Sequence, residues 1–357
     1  MRDVVYMLKK LTFSIVVIIT VILVVLVGSD SQTISDNLFS ESSAYVPPDK
    51  IVMIWDYIGI QDDSQIPQKR IAHVGLDVIA PTWFAIEGEN GYVSSLADEG
   101  YVKRAHKSET EVWAVFENRS DTMLTYGVLS NSNARGKAVN AVTDYAILYG
   151  IDGINVDFEA MSGQTLCFFY EMITELYEKL KPHGICLSID ISYPTDYDLS
   201  LLEKNADYIV LMAYDQHHAN STEIGPVAAI DWVKEAIEFT LEYVPPDKVI
   251  LGIPFYTRIW VESSENGTFI TSESDGMKSA YERFSMLSTV WFREDQTEQI
   301  YAEYEGEGKL FKVWLEDEHS LSLKLDTIND YELAGLSAWR RGLELPEIWE
   351  LINAYFK

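Results

Sequence analysis

The chain has 357 residues, 47% of them hydrophobic and 12% aromatic, which is enough to bury a large core in one or two domains and too apolar for a disordered chain. Its 56 acidic against 27 basic residues give a formal net charge of −29, so no basic excess exists to replace the counterions of a nucleic acid or to hold anionic lipid or polymer. Acidic stretches such as EDQTE at 294–298 and EDE at 316–318 read most simply as solvated faces.

The first predicted element is apolar. Lys9 and Lys10 precede the uncharged run LTFSIVVIITVILVVLV at 11–27, and Asp30 and Asp36 follow it. That run is long for a signal-peptide core and near the lower limit for a membrane span. Basic residues before it and acidic residues after it place the N-terminus in the cytoplasm and the body outside. No small-x-small cleavage site stands near Gly28 and Ser29, and no lipobox cysteine follows. A single-pass, uncleaved membrane anchor within residues 1–28 is therefore expected in preference to a cleaved signal and secretion. Residues 29–45 read as a polar tether.

From about residue 46 short apolar runs alternate with helix-period segments. The predicted strands are IVMIWDYI from Ile51, LDVIAPTWF from Leu76, EVWAVFE from Glu111, DGINVDFE from Asp152, ICLSIDIS from Ile185, DYIVLMAYD from Asp207, VILGIPFYTR from Val249 and LAGLSAWR from Leu333. Between Gln164 and Lys181 apolar residues recur at steps of three and four, which predicts a helix that Pro182 and Gly184 end. Asp231 to Leu241 repeats the pattern before Pro245 and Pro246. The hexapeptide YVPPDK occurs at Tyr45 and again at Tyr243, each time just ahead of a strand.

Eight strands alternating with helices predict an α/β fold, a closed (β/α)8 TIM barrel over 46–357. The surplus length lies between the seventh and eighth strands, where about 75 residues separate Arg258 from Leu333, and predicts a small α+β insertion at about 260–330. An open doubly wound sheet is the alternative, but no Gly-rich phosphate loop follows the first strand. Cys167 and Cys186 have no metal-type spacing and are read as two buried free thiols, with a disulfide between them as the alternative.

On the fourth strand Asn155, Asp157 and Glu159 alternate with Ile154, Val156 and Phe158, so the polar groups share one face. A parallel barrel strand has no solvent-facing side. The polar set must point into the barrel mouth, where barrel enzymes carry their chemistry.

DGINVDFE resembles the signature of family-18 glycoside hydrolases, the chitinase-like barrels. LMAYD at 211–215, GIPFYTR at 252–258 and the AW of SAWR at 337–340 are similar to that family's sixth-, seventh- and eighth-strand motifs, in order. PTWF at 81–84, the Tyr-Asp-x-His run from Tyr214 with GPVA at 225–228, and WLED at 314–317 resemble the branch of spore-cortex-lytic and germination N-acetylglucosaminidases.

The resemblance implies Glu159 as general acid and then base, Asp157 as the group that orients the substrate acetamide, and Tyr214 as a hydroxyl donor to the acetamide oxygen. It implies Asp215 as a sugar-hydroxyl ligand or a neighbour tuning Glu159, and Trp339 as the floor under the acetamido sugar. Tyr256, Arg258 and Trp83 are candidate cleft residues. Typical chitinases carry aspartate where this chain has Asn155. The branch often has asparagine, which puts in doubt any relay of a proton through three acids along the strand. His217 and His218 are adjacent, without metal-ligand spacing, and read as loop residues that touch substrate.

No metal and no cofactor are implied. The expected partner is a β-1,4-linked N-acetylglucosamine polysaccharide, peptidoglycan ahead of chitin, with membrane attachment through 11–27 and no nucleic acid. A non-catalytic glycan-binding protein on the same fold is the competing reading. No repeated wall-binding module of about fifty residues precedes the barrel.

Overall fold

The computed structural model describes residues 50–58 and 75–357. The apolar run at 11–27 and the tether at 29–45 lie outside the described residues. Among the described residues no helix is long and apolar enough to cross a membrane.

In chain order the elements are β1 (Ile51–Asp56), β2 (Val78–Gly88), β3 (Tyr92–Ser95), α1 (Glu99–His106), β4 (Glu111–Glu117), α2 (Thr122–Ser130), α3 (Ser132–Tyr149) and β5 (Gly153–Asp157). Then come α4 (Gln164–Leu180), β6 (Cys186–Ser192), α5 (Leu199–Leu202), β7 (Tyr208–Met212), α6 (Ile230–Leu241), β8 (Val249–Pro254), β9 (Tyr256–Ser263) and β10 (Phe269–Gly276). The chain ends with α7 (Met277–Leu287), β11 (Val290–Arg293), β12 (Ile300–Gly306), β13 (Lys309–Leu315), α8 (Glu318–Asp330), β14 (Gly335–Trp339) and α9 (Ile348–Phe356).

Eight of these strands pair in parallel in the order β1-β14-β8-β7-β6-β5-β4-β2, and β2 returns to β1, so the barrel closes. β3 adds an antiparallel hairpin arm to β2. All eight predicted strands are present. Each is a buried apolar run because one side faces the barrel axis and the other faces helices.

The axis is filled by Ile51, Met53, Trp55, Val78, Trp113 and their neighbours. Near the floor the ring of Trp113 stacks on Tyr208 at 5.6 Å. Gly153 opens the fourth barrel strand there because a Cβ would stand 2.5 Å from the Trp113 ring. Outside the strands a second, larger core joins them to the helices.

Three aspartates brace the floor. Asp77, Asp152 and Asp207 precede β2, β5 and β7, and each accepts the backbone N–H of a residue in the adjacent strand: Val52 at 2.8 Å, Val112 at 2.9 Å and Leu187 at 2.8 Å. Asp152, the first letter of the fourth-strand motif, is therefore a structural residue at the end of the strand opposite the mouth.

The insertion is a five-stranded antiparallel sheet, β10-β9-β13-β12-β11, with α7 on one face. Its own core holds Ile259, Ala280, Phe284, Ala302, Tyr304, Val313 and Leu315. It spans Tyr256 to Leu315, not about 260–330. The run VILGIPFYTR is two strands, because the barrel ladder ends at Pro254 and the chain enters the second sheet at Tyr256. At the far end α8 belongs to the barrel, since its Leu321, Leu325 and Ile328 are buried in the barrel's outer core.

A buried ion pair fastens the two parts. Lys324 Nζ of α8 lies 2.9 and 3.0 Å from the Glu316 carboxylate, which also accepts from Gln299 Nε2 at 2.7 Å and Ser320 Oγ at 2.6 Å. Both cysteines are free, but neither is fully buried: Cys167 is exposed on the outer side of α4 and Cys186 is half-buried at the start of β6.

Candidate active site

The carboxyl ends of the barrel strands surround a cleft of about 720 Å³, lined among others by Ser120, Glu159, Asp190, Tyr197 and His218. Asp157 ends β5, and its register partner on β4 is Glu117. Glu159 stands two residues beyond the strand, exposed at the rim.

The backbone of Glu159 is held by one side chain. Asn118 donates from Nδ2 to the Glu159 carbonyl at 2.9 Å and accepts the Glu159 N–H at 3.0 Å. Ser120 Oγ donates to Glu159 Oε2 at 2.8 Å. Arg119, Ser120, Ala160 and Asp215 all have φ between 51° and 60°. Such left-handed non-glycine residues survive where surrounding bonds over-determine the backbone, and they gather at functional sites.

Beneath Glu159 the site is acidic. Burial pushes the Asp157 carboxyl up to about 8, helped by the charges of Glu159 and then Glu117. Asp190 on β6 is pushed well up, first by burial and then by Asp157. Glu117 is raised by burial, with Arg119 opposing. Asn155, fully buried, ties the floor of this cluster: Oδ1 accepts from Trp55 Nε1 at 2.8 Å, and Nδ2 donates to Ser188 Oγ at 3.0 Å and Asp190 Oδ1 at 2.6 Å.

Aromatic rings form the other side. Trp55 meets Trp339 at 5.8 Å and Tyr214 at 6.4 Å between ring centroids, both edge-on. Tyr214 meets Tyr256 at 6.2 Å, also edge-on. Burial, then Tyr256 and the nearby acids, keep the Tyr214 hydroxyl protonated well past its ordinary range. Tyr256 donates its hydroxyl to Asp215. Arg258 shares a β9 face with Tyr256. It is almost buried, donates to Ser272 Oγ at 3.3 Å, and leaves Nε without a partner.

The structure thus gathers Asn155, Asp157, Glu159, Tyr214, Asp215, Trp339 and Tyr256 at one mouth, with Arg258 on the adjoining sheet. It does not bring Trp83 there. Trp83 is 3% exposed and packs edge-on against Tyr101 of α1 at 5.1 Å, in the core outside the barrel wall. A bulge between Thr82 and Phe84 sends both Trp83 and Phe84 outward. The two histidines divide as well. His218 lines the cleft, whereas His217 donates from Nδ1 to the Pro226 carbonyl at 2.8 Å and fills the space where Gly225 lacks a Cβ.

Asp190, Glu117, Asn118, Ser120, Tyr197 and Trp55 were not among the sequence-predicted site residues. Asp190 had a readable signal: Ser188, Asp190 and Ser192 alternate on β6 just as Asn155, Asp157 and Glu159 do. Asn118 and Ser120 sit on a loop without period. Among the described residues no cluster of His, Cys, Asp and Glu could hold a metal ion.

Acid-assisted cleavage of a glycosidic bond needs an accessible carboxyl beside a sheltered one, with flat apolar faces for the sugar rings, and this mouth supplies them on a (β/α)8 scaffold. That combination defines a barrel glycosidase. Residues 50–344 match the glycosyl hydrolases family 18, and the chain belongs to that family.

Its relatives include spore glycosylases of Bacillus and chitinases of animals. It is 30% identical over 245 residues to YdhD of Bacillus subtilis, a protein that bears the name of a sporulation-specific glycosylase, across 66% of this chain and 57% of that one. The solved structure of YdhD gives a TM-score of 0.68 at 27% identity, covering 74% of this chain and 92% of that chain. The cortical fragment-lytic enzyme of Bacillus subtilis is 24% identical over 64% of this chain and 55% of its own length. The Bacillus megaterium spore cortex-lytic enzyme SleL shares the fold, with a TM-score of 0.74 at 19% identity over 87% of this chain and 75% of that chain. The chain spans a little over half the length of these two curated relatives, YdhD and the cortical fragment-lytic enzyme.

Proposed function

We propose that this glycoside hydrolase cleaves β-1,4-linked N-acetylglucosamine polymers, with peptidoglycan of the spore cortex or wall as substrate ahead of chitin. The observation that carries the reading is Glu159, exposed and oriented by Ser120 and Asn118, beside the half-buried Asp157, whose carboxyl is pushed up to about 8. Family 18 departs from the two-carboxylate scheme by using the substrate itself as nucleophile.

Glu159 donates its proton to the glycosidic oxygen as the bond to the anomeric carbon breaks. The 2-acetamido oxygen forms a bond to that carbon, giving a cyclic oxazolinium. Glu159, now a carboxylate, takes a proton from the water that opens the ring, and the configuration is retained. Asp157 accepts the acetamide N–H and faces the developing positive charge. Tyr214 donates to the acetamide oxygen. Trp339 carries the apolar face of the sugar, and Asp215, Tyr256 and Arg258 bound the cleft beside it. The run at 11–27 would tether the barrel to the outer face of the membrane, with secretion as the alternative.

The test compares the full-length protein with Glu159→Gln on peptidoglycan, with and without muramic lactam, and on chitin oligomers. Mass spectrometry then identifies the new reducing ends. Products ending in N-acetylglucosamine from the parent, reduced by about 10²–10⁴-fold in the variant, are expected. Glycan bound but uncut by both proteins would overturn the reading in favour of a binding protein.

A further inference from the structure

Asn155 is an amide in a cluster of acids, and an amide neither stores nor passes a proton. Its own bonds are fully committed. Trp55 fixes Oδ1, and Ser188 and Asp190 take both hydrogens of Nδ2. The donor side of the amide therefore faces Asp190 and holds it by Oδ1.

That leaves two oxygens to account for. Asp190 Oδ2 and Asp157 Oδ1 are both buried, and neither has a hydrogen-bond partner. Buried polar atoms are rarely left so. The β5–β6 ladder pairs Asn155 with Ser188 and Val156 with Ile189, so the next rung sets Asp157 beside Asp190. Both side chains follow the inward alternation of their strands, and Asp190 reaches the cleft.

Among the described residues no Lys or Arg is among the charges that act on this pair; the imidazole of His218 lines the same cleft as Asp190. Asp157 feels Glu159 and Glu117; Asp190 feels Asp157 and Glu159, with Asn155 donating to its Oδ1. Tyr197, Tyr214 and Tyr256 around the pair are neutral phenols, and Arg119 is engaged by Glu87 at 2.8 Å. Asp190 is buried and Asp157 half-buried with its Oδ1 closed to solvent, and two such adjacent carboxyls resist ionising together, the usual outcome being one proton held between them.

We propose that Asp190 is the proton partner of Asp157, and that it supplies from the neighbouring strand the acid that Asn155 does not supply from β5. A single O–H···O bond between Asp190 Oδ2 and Asp157 Oδ1 would satisfy both orphaned oxygens. The role rests on the reaction proposed above. When the substrate acetamide docks, the shared proton settles on Asp190, and Asp157 meets the acetamide N–H and the oxazolinium charge as a carboxylate. The proton returns when the product leaves, so none is gained or lost. Asp190 is a positioning residue, acting through Asp157.

The experiment uses the full-length protein in four forms: parent, Asp190→Asn, Asn155→Asp, and the exchange Asn155→Asp with Asp190→Asn. Carboxyl titration is followed by difference infrared spectroscopy with labelled aspartate, and kcat and KM by pH profile on N-acetylglucosamine oligomers. Asn at 190 keeps an acceptor for Asn155 Nδ2. In Asp190→Asn the ionisation of Asp157 is expected to move down by about one unit or more in the infrared titration. In the same variant kcat should fall about tenfold or more at a KM changed less than about threefold, as for a loss felt mainly in the transition state. The exchange should recover most of kcat and return the Asp157 ionisation toward that of the parent, because the acid stands again beside Asp157.

An Asp157 titration unmoved by Asp190→Asn, or a folded exchange variant no better than Asp190→Asn, would overturn the proposal. If Asp190→Asn does not fold, Asp157→Asn gives the converse reading: the ionisation of Asp190 must fall. A parent protein that cuts no glycan would sink the proposed reaction alone, since the infrared titration still decides whether the proton is shared.

Discussion

The two ends of the barrel hold aspartates under opposite conditions, one of them on the same strand. At the floor Asp152 accepts the Val112 N–H and pairs with His106 at 2.7 Å, while Asp77 accepts the Val52 N–H and pairs with Lys357 at 2.8 Å. At the mouth Asp157 and Asp190 each keep a buried oxygen without a partner and are pushed toward protonation. The floor spends its acids on closing strand ends. The mouth leaves its acids short of partners, which is where a substrate has something to offer.

The contrast is broken most severely at the rim. Glu159→Gln is expected to reduce glycan cleavage by about 10²–10⁴-fold with little change in melting temperature, since its side chain is exposed. A pairing of lost activity with lost stability would show that the rim is structural too.

Next is the pH response of Asp157. Its carboxyl ionises near an ordinary 3.8 when unfolded and near 8 in the fold. Between those values the folded chain holds the extra proton, so stability falls as pH rises from about 4 to 8. Asp157→Asn should remove that slope, gaining on the order of a few kcal/mol over the parent at pH 8 and little at pH 4. Urea titrations across that range decide it; equal slopes would mean that Asp157 is already ionised in the fold.

The floor should respond in the reverse sense. Asp152→Ala leaves the Val112 N–H and His106 without their partner, costing about 1–3 kcal/mol in chemical denaturation while kcat stays near that of the parent. The smallest effect is assigned to Trp83. Trp83→Phe should lower stability by on the order of 1 kcal/mol through lost packing and leave KM within about twofold. A large rise in KM would return Trp83 to the cleft.

The eight barrel strands were legible because a strand buried on both sides is an apolar run, and such runs need no knowledge of their neighbours. The Asn155, Asp157 and Glu159 set was legible by the same local rule, as an alternation that a buried strand should not carry. What the sequence hid was relational. Asp190 gains its meaning from standing across from Asp157 on the neighbouring strand, and Glu117 from being the register partner of Asp157. Register is set between segments about thirty to forty residues apart, and no local period encodes it. The end of β8 was overrun because Phe255, Tyr256 and Arg258 continue a plausible strand, and only Pro254 marks the change of sheet. Trp83 was drawn in by its motif, although alternation from Val78 and Ala80 already pointed it outward.

The buried Lys324–Glu316 pair has a mechanical consequence. The insertion sheet is tied beside the mouth by Trp260 Nε1 to the Gly225 carbonyl at 2.8 Å and by Tyr256 to Asp215, and at its other end by Gln299, Glu316 and Lys324. Parting one member of a dry ion pair from the other costs about 3–5 kcal/mol. A wall riveted at two points cannot swing during each turnover, so the width of the groove is fixed when the chain folds. The glycan substrate proposed above would then be selected by its fit to a standing gap, not by its ability to pull it shut.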